Sequence, residues 1–192
     1  ETAIAAHLAA GKVVARVNGR MEYGPRALGN RSILYQATDV TVNKWLNKRL
    51  NRTEFMPFAP SILKECAGDY YHDFPRGEHA AEYMTVTYDV TDRCVDEAPA
   101  VVHVDRTARP QAVTEDSNPS FYRVLKQYRA LTGLPQVINT SFNMHEEPIV
   151  CSAQDAVRAF EQGHLDILAI GEYIVENVGV RSRDIAAETE AD

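Results

Sequence analysis

Three arginines stand in a glycine-punctuated stretch, G-R-M-E-Y-G-P-R-A-L-G-N-R-S, over residues 19–32. Glycines let backbone N–H groups come close to a ligand. The guanidiniums of Arg20, Arg26 and Arg31 can take phosphate or carboxylate oxygens two at a time without losing charge. Glu22 is placed to brace one of them by an ion pair. The stretch is not a P-loop, because the spacing G-x-x-x-x-G-K-[ST] is absent. The competing reading is a solvated loop with incidental charges.

Three further constellations bear on the same chemistry. In N-K-W-L-N-K-R-L-N-R, residues 43–52, Lys44 and Lys48 are four apart and share a helix face, with Arg52 a turn beyond. Such a face suits a triphosphate; equally, it suits a solvent-facing side whose Trp45 and Leu46 enter the core. In V-V-H-V-D-R-T-A-R-P-Q, residues 101–111, His103 and Asp105 alternate with valines, which predicts one face of a strand, with Arg106 and Arg109 in the turn after it. His103 reads as a structural residue and Arg109 as a functional one. In P-Q-V-I-N-T-S-F-N, residues 135–143, an apolar strand runs into Asn139, Ser141 and Asn143, which project to one side if extended. Their amides and hydroxyl can meet phosphate, ribose or base edges, or they can simply close a turn through Asx hydrogen bonds. The six histidines show no H-E-x-x-H or comparable spacing, so no metal site is expected.

The elements that must position these residues follow from periodicity and punctuation. Helices are expected over residues 3–10, 41–50, from an Asn118 cap with Pro119 to about Leu131, and from a Ser152-x-x-Asp155 capping box to near Gly163. Strands are expected over 13–17, 33–37, 83–90, 101–105, 111–114, 135–139, 166–170 and 173–177, with 56–63 extended at first. Interspersed strands and helices give an α/β (α+β) class with a mixed sheet. The length of 192 residues suits one domain, with residues 184–192 as an acidic tail. The net charge is −7, yet Lys12 to Lys64 is rich in Arg and Lys, which suggests a local anionic ligand rather than a nucleic-acid polymer. Cys66, Cys94 and Cys151 are far apart and odd in number, which fits a reducing cytoplasm better than a disulfide framework. No apolar run reaches the roughly 18–20 residues of a membrane helix. The chain begins at Glu1 without Met and is read as part of a longer protein.

Four segments in order, GRMEYGPRALGNRSIL, RTEFMPFAPSIL, HVDRTARPQ and PQVINTSFNMHEEPIV, resemble the carbamoyltransferase C-terminal domain over residues 12–178. That family includes O-carbamoyltransferases of antibiotic biosynthesis and nodulation carbamoyltransferases. The resemblance implies a YrdC-like domain, spanning residues 1–183, with a twisted mixed sheet flanked by helices. It also implies an N-terminal transferase domain, outside this sequence, that moves the carbamoyl group to a hydroxyl. The C-terminal domain would bind ATP and carbamoyl phosphate, with Mg²⁺ sharing the charge, and form carbamoyl-adenylate, pyrophosphate and phosphate. Carried over by position, Arg26, Arg52 and Arg109 are the catalytic candidates. Arg20, Arg31, Lys48, Asn139, Ser141 and Asn143 are the substrate-binding candidates. Two departures stand out: Glu146 precedes Glu147-Pro148-Ile149 where the family often has glycine, and Met56 replaces a frequent arginine. Two rival readings are a nucleotide- or RNA-binding YrdC-like module and a catalytically degenerate scaffold. The acid excess disfavours RNA, and Glu146 is the feature that keeps the scaffold in play.

Overall fold

A computed structural model describes residues 1–52 and 57–178. The elements run α1 (Thr2–Ala9), β1 (Val14–Val17), β2 (Arg31–Gln36), α2 (Val42–Arg49), β3 (Ala59–Leu63), α3 (Glu78–Ala81), β4 (Tyr88–Asp89) and α4 (Asp92–Glu97). They continue with β5 (Thr107–Ala108), β6 (Gln111–Val113), α5 (Pro119–Thr132), β7 (Gln136–Ser141), α6 (Ala153–Gln162), β8 (Ile167–Ile170) and β9 (Tyr173–Glu176). Short 3-10 turns at Lys64–Asp69, Phe74–Arg76 and Pro99–Val101 fill the connections. Seven strands form one mixed sheet in the order β6-β3-β7-β2-β1-β8-β9, and β4 pairs with β5 separately. β1 is parallel to β8 and β3 to β6, while β2 and β7 are antiparallel to their neighbours.

The strands β1 and β2 are buried almost throughout, because both faces of the sheet are covered. Successive side chains go to opposite cores. Val14, Leu34 and Val137 join Ile4, Leu8, Phe121, Leu125 and Tyr128 beneath α1 and α5. Val13, Ala15, Ile33, Tyr35 and Ile138 join Trp45, Leu46, Ala156 and Phe160 beneath α2 and α6. Trp45 and Leu46 therefore are core, as their helix position suggested.

Two helix starts are set as the sequence indicates. Asn118 accepts the Phe121 N–H at the start of α5, and Gly133 ends it at φ 81°. Ser152 and Asp155 form a reciprocal capping box on α6.

Two expected strands do not form. Over residues 83–90 only the end pairs, Tyr88–Asp89 in β4 and Val90 in a single antiparallel bridge to Tyr71, because Met84 turns the chain at φ 54° and Thr85 bonds back to Ala80 through both its N–H and its hydroxyl. Over 101–105 the chain leaves a 3-10 turn and folds into a local turn. Asp105 accepts from the Thr107 N–H at 3.1 Å and its hydroxyl at 2.8 Å, and Arg106 sits at φ 61°. An Asp hydrogen-bonding its own backbone two residues on competes with strand pairing. His103 and Asp105 thus do not share a strand face. Cys66, Cys94 and Cys151 are free thiols, as expected. No described helix is long and apolar enough to cross a membrane. Met56 and the acidic tail at 184–192 lie outside the described residues.

Candidate functional site

The loop joining β1 to β2, residues 18–30, is closed on itself by one carboxylate. Glu22 Oε1 accepts the Leu28 N–H at 2.8 Å and the Asn30 N–H at 2.6 Å. The carboxylate expected to brace an arginine instead holds backbone. The Asn30 amide donates back to the Arg20 carbonyl at 3.0 Å. Gly29, at φ 115°, lies against the Phe121 ring so closely that an added Cβ would fall 2.8 Å from Phe121 Cγ. Only glycine meets both conditions.

The sheet grips this loop from below through three neighbouring strands. Ser61 of β3 donates to Gln111 Oε1 of β6 at 2.6 Å. Asn139 of β7 donates through Nδ2 to Ser61 Oγ at 2.9 Å and to Gln111 Oε1 at 3.0 Å. The same Asn139 amide reaches the Ala27 carbonyl at 3.1 Å, and Gln111 Nε2 reaches the Leu28 carbonyl at 2.8 Å. Buried amides thereby fix the two carbonyls that follow Arg26 in the loop, those of Ala27 and Leu28.

Two arginines of the basic segment act as braces rather than ligand groups. Arg16 is 2% exposed; it donates to the Gly29 carbonyl and to Ser120 Oγ, and its guanidinium stacks over Phe121. Burial pushes its pKa down to about 10, so it stays a cation at neutral pH. Arg31 is also buried, with its two terminal nitrogens donating to the carbonyls of Asn18, Asn30, Gly19 and Cys151.

Above the network opens a cleft of about 690 Å³, counting the solvent space at its mouth. Arg26, Arg52 and Arg109 line it together with Asn139, Thr140, Ser141, Asn143, His145 and Glu146, and Phe58 and Met84 contribute apolar wall. Of the candidates from sequence, it gathers Arg26, Arg52, Arg109, Asn139, Ser141 and Asn143. Arg20, Arg31 and Lys48 are not among its lining residues.

The three cleft arginines are held differently. Arg52 is anchored on the end of β7, donating to Thr140 Oγ1 at 3.0 Å, the Ser141 carbonyl at 3.1 Å and Ser141 Oγ at 3.5 Å. Burial brings its pKa down to about 10. Arg109 has a buried Nε with no hydrogen-bond partner, and burial and the nearby Arg26 both lower its pKa. Among the described residues no carboxylate forms an ion pair with Arg26, Arg52 or Arg109. Arg109 beside Arg26, with no carboxylate of the described residues paired to either, gives this partly dry site a positive potential.

The end of β7 completes the cleft. Asn139 is 2% exposed and its Nδ2 is committed to the loop, so it positions the site from below. Asn143 Nδ2 bridges the carbonyls of Met144 and Glu147, each at 2.9 Å, closing the next turn. Glu146 stands in that turn at φ 61°, with its carboxylate 4.0 Å from His145 Nε2. A left-handed backbone is where glycine costs least. His145, Thr140 and Met84 were not singled out from sequence. Thr140 lay inside the N-T-S motif, whereas nothing local marked Met84. No group of three or more His, Cys, Asp or Glu side chains suited to a metal occurs among the described residues. Glu146 is the carboxylate among the described residues lining the cleft.

The family model described as carbamoyltransferase C-terminus matches residues 5–177. The 3'-hydroxymethylcephem-O-carbamoyltransferase of Streptomyces clavuligerus is 36% identical over 88% of this chain and 32% of its own length. Nodulation protein NolO of Bradyrhizobium diazoefficiens is 37% identical over 94% of this chain and 33% of its own. The protein MJ1051 of Methanocaldococcus jannaschii is 43% identical over 87% of this chain and 32% of its own. The chain therefore spans about a third of the length of these relatives. In fold it is similar to full-length HypF in the phosphate- and nucleotide-bound form, with TM-score 0.64 and 17% identity, covering 94% of this chain and 25% of that one. It is likewise similar to Pyrococcus abyssi Sua5 complexed with L-threonine, with TM-score 0.61 and 14% identity, covering 88% and 46%. The fold is thus the YrdC-like one.

Proposed function

The chain belongs to the carbamoyltransferase C-terminal family, and from that membership and the arginine cleft we propose that it binds ATP and carbamoyl phosphate and forms carbamoyl-adenylate. The observation that carries this reading is the convergence of Arg26, Arg52 and Arg109 on one cleft with no acidic partner among the described residues. Two like charges 4 Å apart repel by about 4 kcal/mol even at an effective dielectric of ~20, so two phosphorylated anions need several fixed cations between them.

In chemical terms carbamoyl phosphate loses its phosphate to water, and an oxygen of the resulting carbamate attacks the α-phosphorus of ATP. Pyrophosphate departs with the electrons of the broken P–O bond. Such a transfer asks for alignment and charge neutralisation rather than a nucleophilic side chain. Arg52, anchored on the end of β7, offers its remaining N–H groups in a fixed orientation. Arg26 and Arg109 carry charge that no ion pair among the described residues neutralises and are the candidates to meet developing negative charge. Thr140, Ser141 and Asn143 supply neutral polar contacts at the strand end. Asn139 acts through the loop it holds. Arg20, Arg31 and Lys48 have no part in this version of the site. Mg²⁺ bound to nucleotide phosphates needs one or two protein oxygens at most, and Glu146 would be the residue to hold it. Bound there, the ion would neutralise phosphate charge.

The relatives' names suggest that a full-length protein passes the carbamoyl group on to a hydroxyl acceptor, by way of sequence outside this chain.

The test is ATP–pyrophosphate exchange by the protein, with and without carbamoyl phosphate and Mg²⁺. Exchange that requires carbamoyl phosphate is the expected outcome. Arg109→Ala should lower it about a hundredfold, in the range for removing one preorganised cationic donor, with little change in unfolding midpoint. Absence of exchange from the full-length protein would overturn the reading.

A further inference from the structure

The last leg of the arginine loop is held by a different strand at each step. The Ala27 carbonyl accepts from Asn139 Nδ2 of β7 at 3.1 Å, and the Leu28 carbonyl from Gln111 Nε2 of β6 at 2.8 Å. The Gly29 carbonyl accepts from Arg16 Nη1 of β1, and the Asn30 carbonyl from Arg31 Nη1 of β2 at 2.8 Å. The Leu28 and Asn30 N–H groups go to Glu22, and the Gly29 N–H goes to Ser32 Oγ at 3.0 Å. Arg26 directly precedes this run.

Of these four donors Arg16 also reaches a helix. Its Nη2 donates to Ser120 Oγ in the first turn of α5 at 2.7 Å. Ser120 donates on to Glu1 Oε1 at 3.0 Å, and Arg123 Nη2 reaches the same oxygen at 2.9 Å. The Arg16 guanidinium lies 5.6 Å from the centroid of Phe121, the ring against which Gly29 packs. Asn118, the cap of α5, donates to Asn30 Oδ1 at 3.0 Å. The start of α5 is therefore the seat of the loop, and Arg16 is the cation that joins the two.

Stability alone is a poor reason for that cation. Arg16 is 2% exposed, and the oxygens it bonds are neutral. Burying a charge is costly, and an apolar side chain of similar volume often stabilises a core as well or better. What the guanidinium adds is direction. Its planar fork fixes acceptors on two elements at once, which neither an apolar chain nor a flexible ammonium does.

Resting on the function proposed above, we propose that Arg16 is a positioning residue for that reaction: by fixing Gly29 to the start of α5, it sets the direction in which Arg26 enters the arginine cleft. Arg16 is not among the residues lining that cleft, so it acts through Arg26 and not on a ligand. Misplacing a charge-neutralising group by about 1 Å can cost about a hundredfold in rate.

The experiment is a double-mutant cycle between Arg16→Met and Arg26→Ala in the full-length protein. It is read by carbamoyl phosphate-dependent ATP–pyrophosphate exchange and by calorimetry of inorganic tripolyphosphate, both well below the unfolding midpoints. Arg16→Met alone should lower kcat for exchange by at least about tenfold and weaken tripolyphosphate. In the Arg26→Ala background the same substitution should cost less than about twofold, because its effect passes through a guanidinium already gone. Arg16→Lys, which keeps the charge but not the fork, should fall between the wild type and Arg16→Met. A merely structural role would give the same loss in both backgrounds, and that additivity would overturn the proposal. If Arg16→Met does not fold, Ser120→Ala takes its place in the cycle, with a loss of about threefold expected from one missing hydrogen bond; wild-type rate and affinity in Ser120→Ala would then overturn it. A wild type without exchange overturns the function proposed above, while the tripolyphosphate cycle still decides whether Arg16 acts through Arg26. A wild type that neither exchanges nor binds tripolyphosphate overturns both.

Discussion

Arg109 and Asn139 meet at one cleft but work at different distances from any ligand. Arg109 carries a charge and a buried Nε that no described protein group satisfies. Asn139 has its amide protons fully spent on Ala27, Ser61 and Gln111. The N-T-S motif was legible because small polar residues follow an apolar run. Its hold on the loop was not, because the partners of Asn139 are 28, 78 and 112 residues away in the chain. Glu146 is a case where the sequence departure and the backbone agree. It occupies a position at φ 61°, which costs an ordinary residue about 1–2 kcal/mol. Glycine loses more entropy on folding, by about 0.5–1 kcal/mol, so Glu146→Gly should stabilise the protein by up to about 1 kcal/mol. Urea unfolding would register this as a higher midpoint. A lower one would mean that the carboxylate contributes more to the turn than its strained backbone takes away.

At the scale of elements, the helix ends were readable and two strands were not. Asn118, Pro119, Gly133, Ser152 and Asp155 act within a few residues of themselves, so their spacing states their role. The alternation in 101–105 suggested a strand, but Asp105 and Thr107 close a turn that periodicity does not register. That turn carries His103 to the neighbourhood of Arg109. Burial lowers the His103 pKa first of all, Arg109 lowers it further, and Asp105 opposes them. A cationic group with a depressed folded pKa binds its proton more readily in the unfolded chain. Its contribution to stability is therefore present above the ordinary value of 6.5 and lost as pH falls through that value. Between about pH 8 and about pH 5.5 the wild type should lose more stability than His103→Gln. Equal losses would show that His103 is not desolvated in the fold. The closed loop gives a second element-scale outcome. Glu22→Ala removes the acceptor for two backbone N–H groups, which should lower stability by about 1–3 kcal/mol. It should also weaken tripolyphosphate binding, because Arg26 loses its support. Glu22→Gln, which keeps an acceptor, should retain more of both. Unchanged anion affinity in Glu22→Ala, with stability lost, would mean that Arg26 does not depend on the closure.

The whole molecule sets a basic cleft in an acidic body of net charge −7. The sequence located the excess of cations in the stretch from Lys12 to Lys64, but folding disperses it. Arg16 and Arg31 go inward as braces, Arg20 and Lys48 stay outside the cleft lining, and Arg26 and Arg52 are joined there by Arg109 from beyond that stretch. Composition could indicate an anionic ligand; only the sheet order, which sets β3, β7 and β2 side by side, could indicate which cations meet it. This arrangement makes opposite demands on a compact anion and a long one. A nucleotide entering the cleft meets close, partly buried guanidiniums, which salt screens little, after crossing a repulsive far field that salt weakens. The two effects oppose each other, so ATP affinity should change by less than roughly threefold between 50 and 300 mM KCl, conditions in which surface contacts are strongly screened. An RNA strand would have to lie along the acidic exterior, where few cations await it, and its binding would fall by orders of magnitude over a similar range. Calorimetry of ATP and of a short RNA at both salt concentrations separates the cases. Nearly salt-independent ATP binding with no RNA binding fits a site that recognises two small phosphorylated molecules, and salt-sensitive RNA binding tighter than that of ATP would turn the assignment toward a nucleic-acid module.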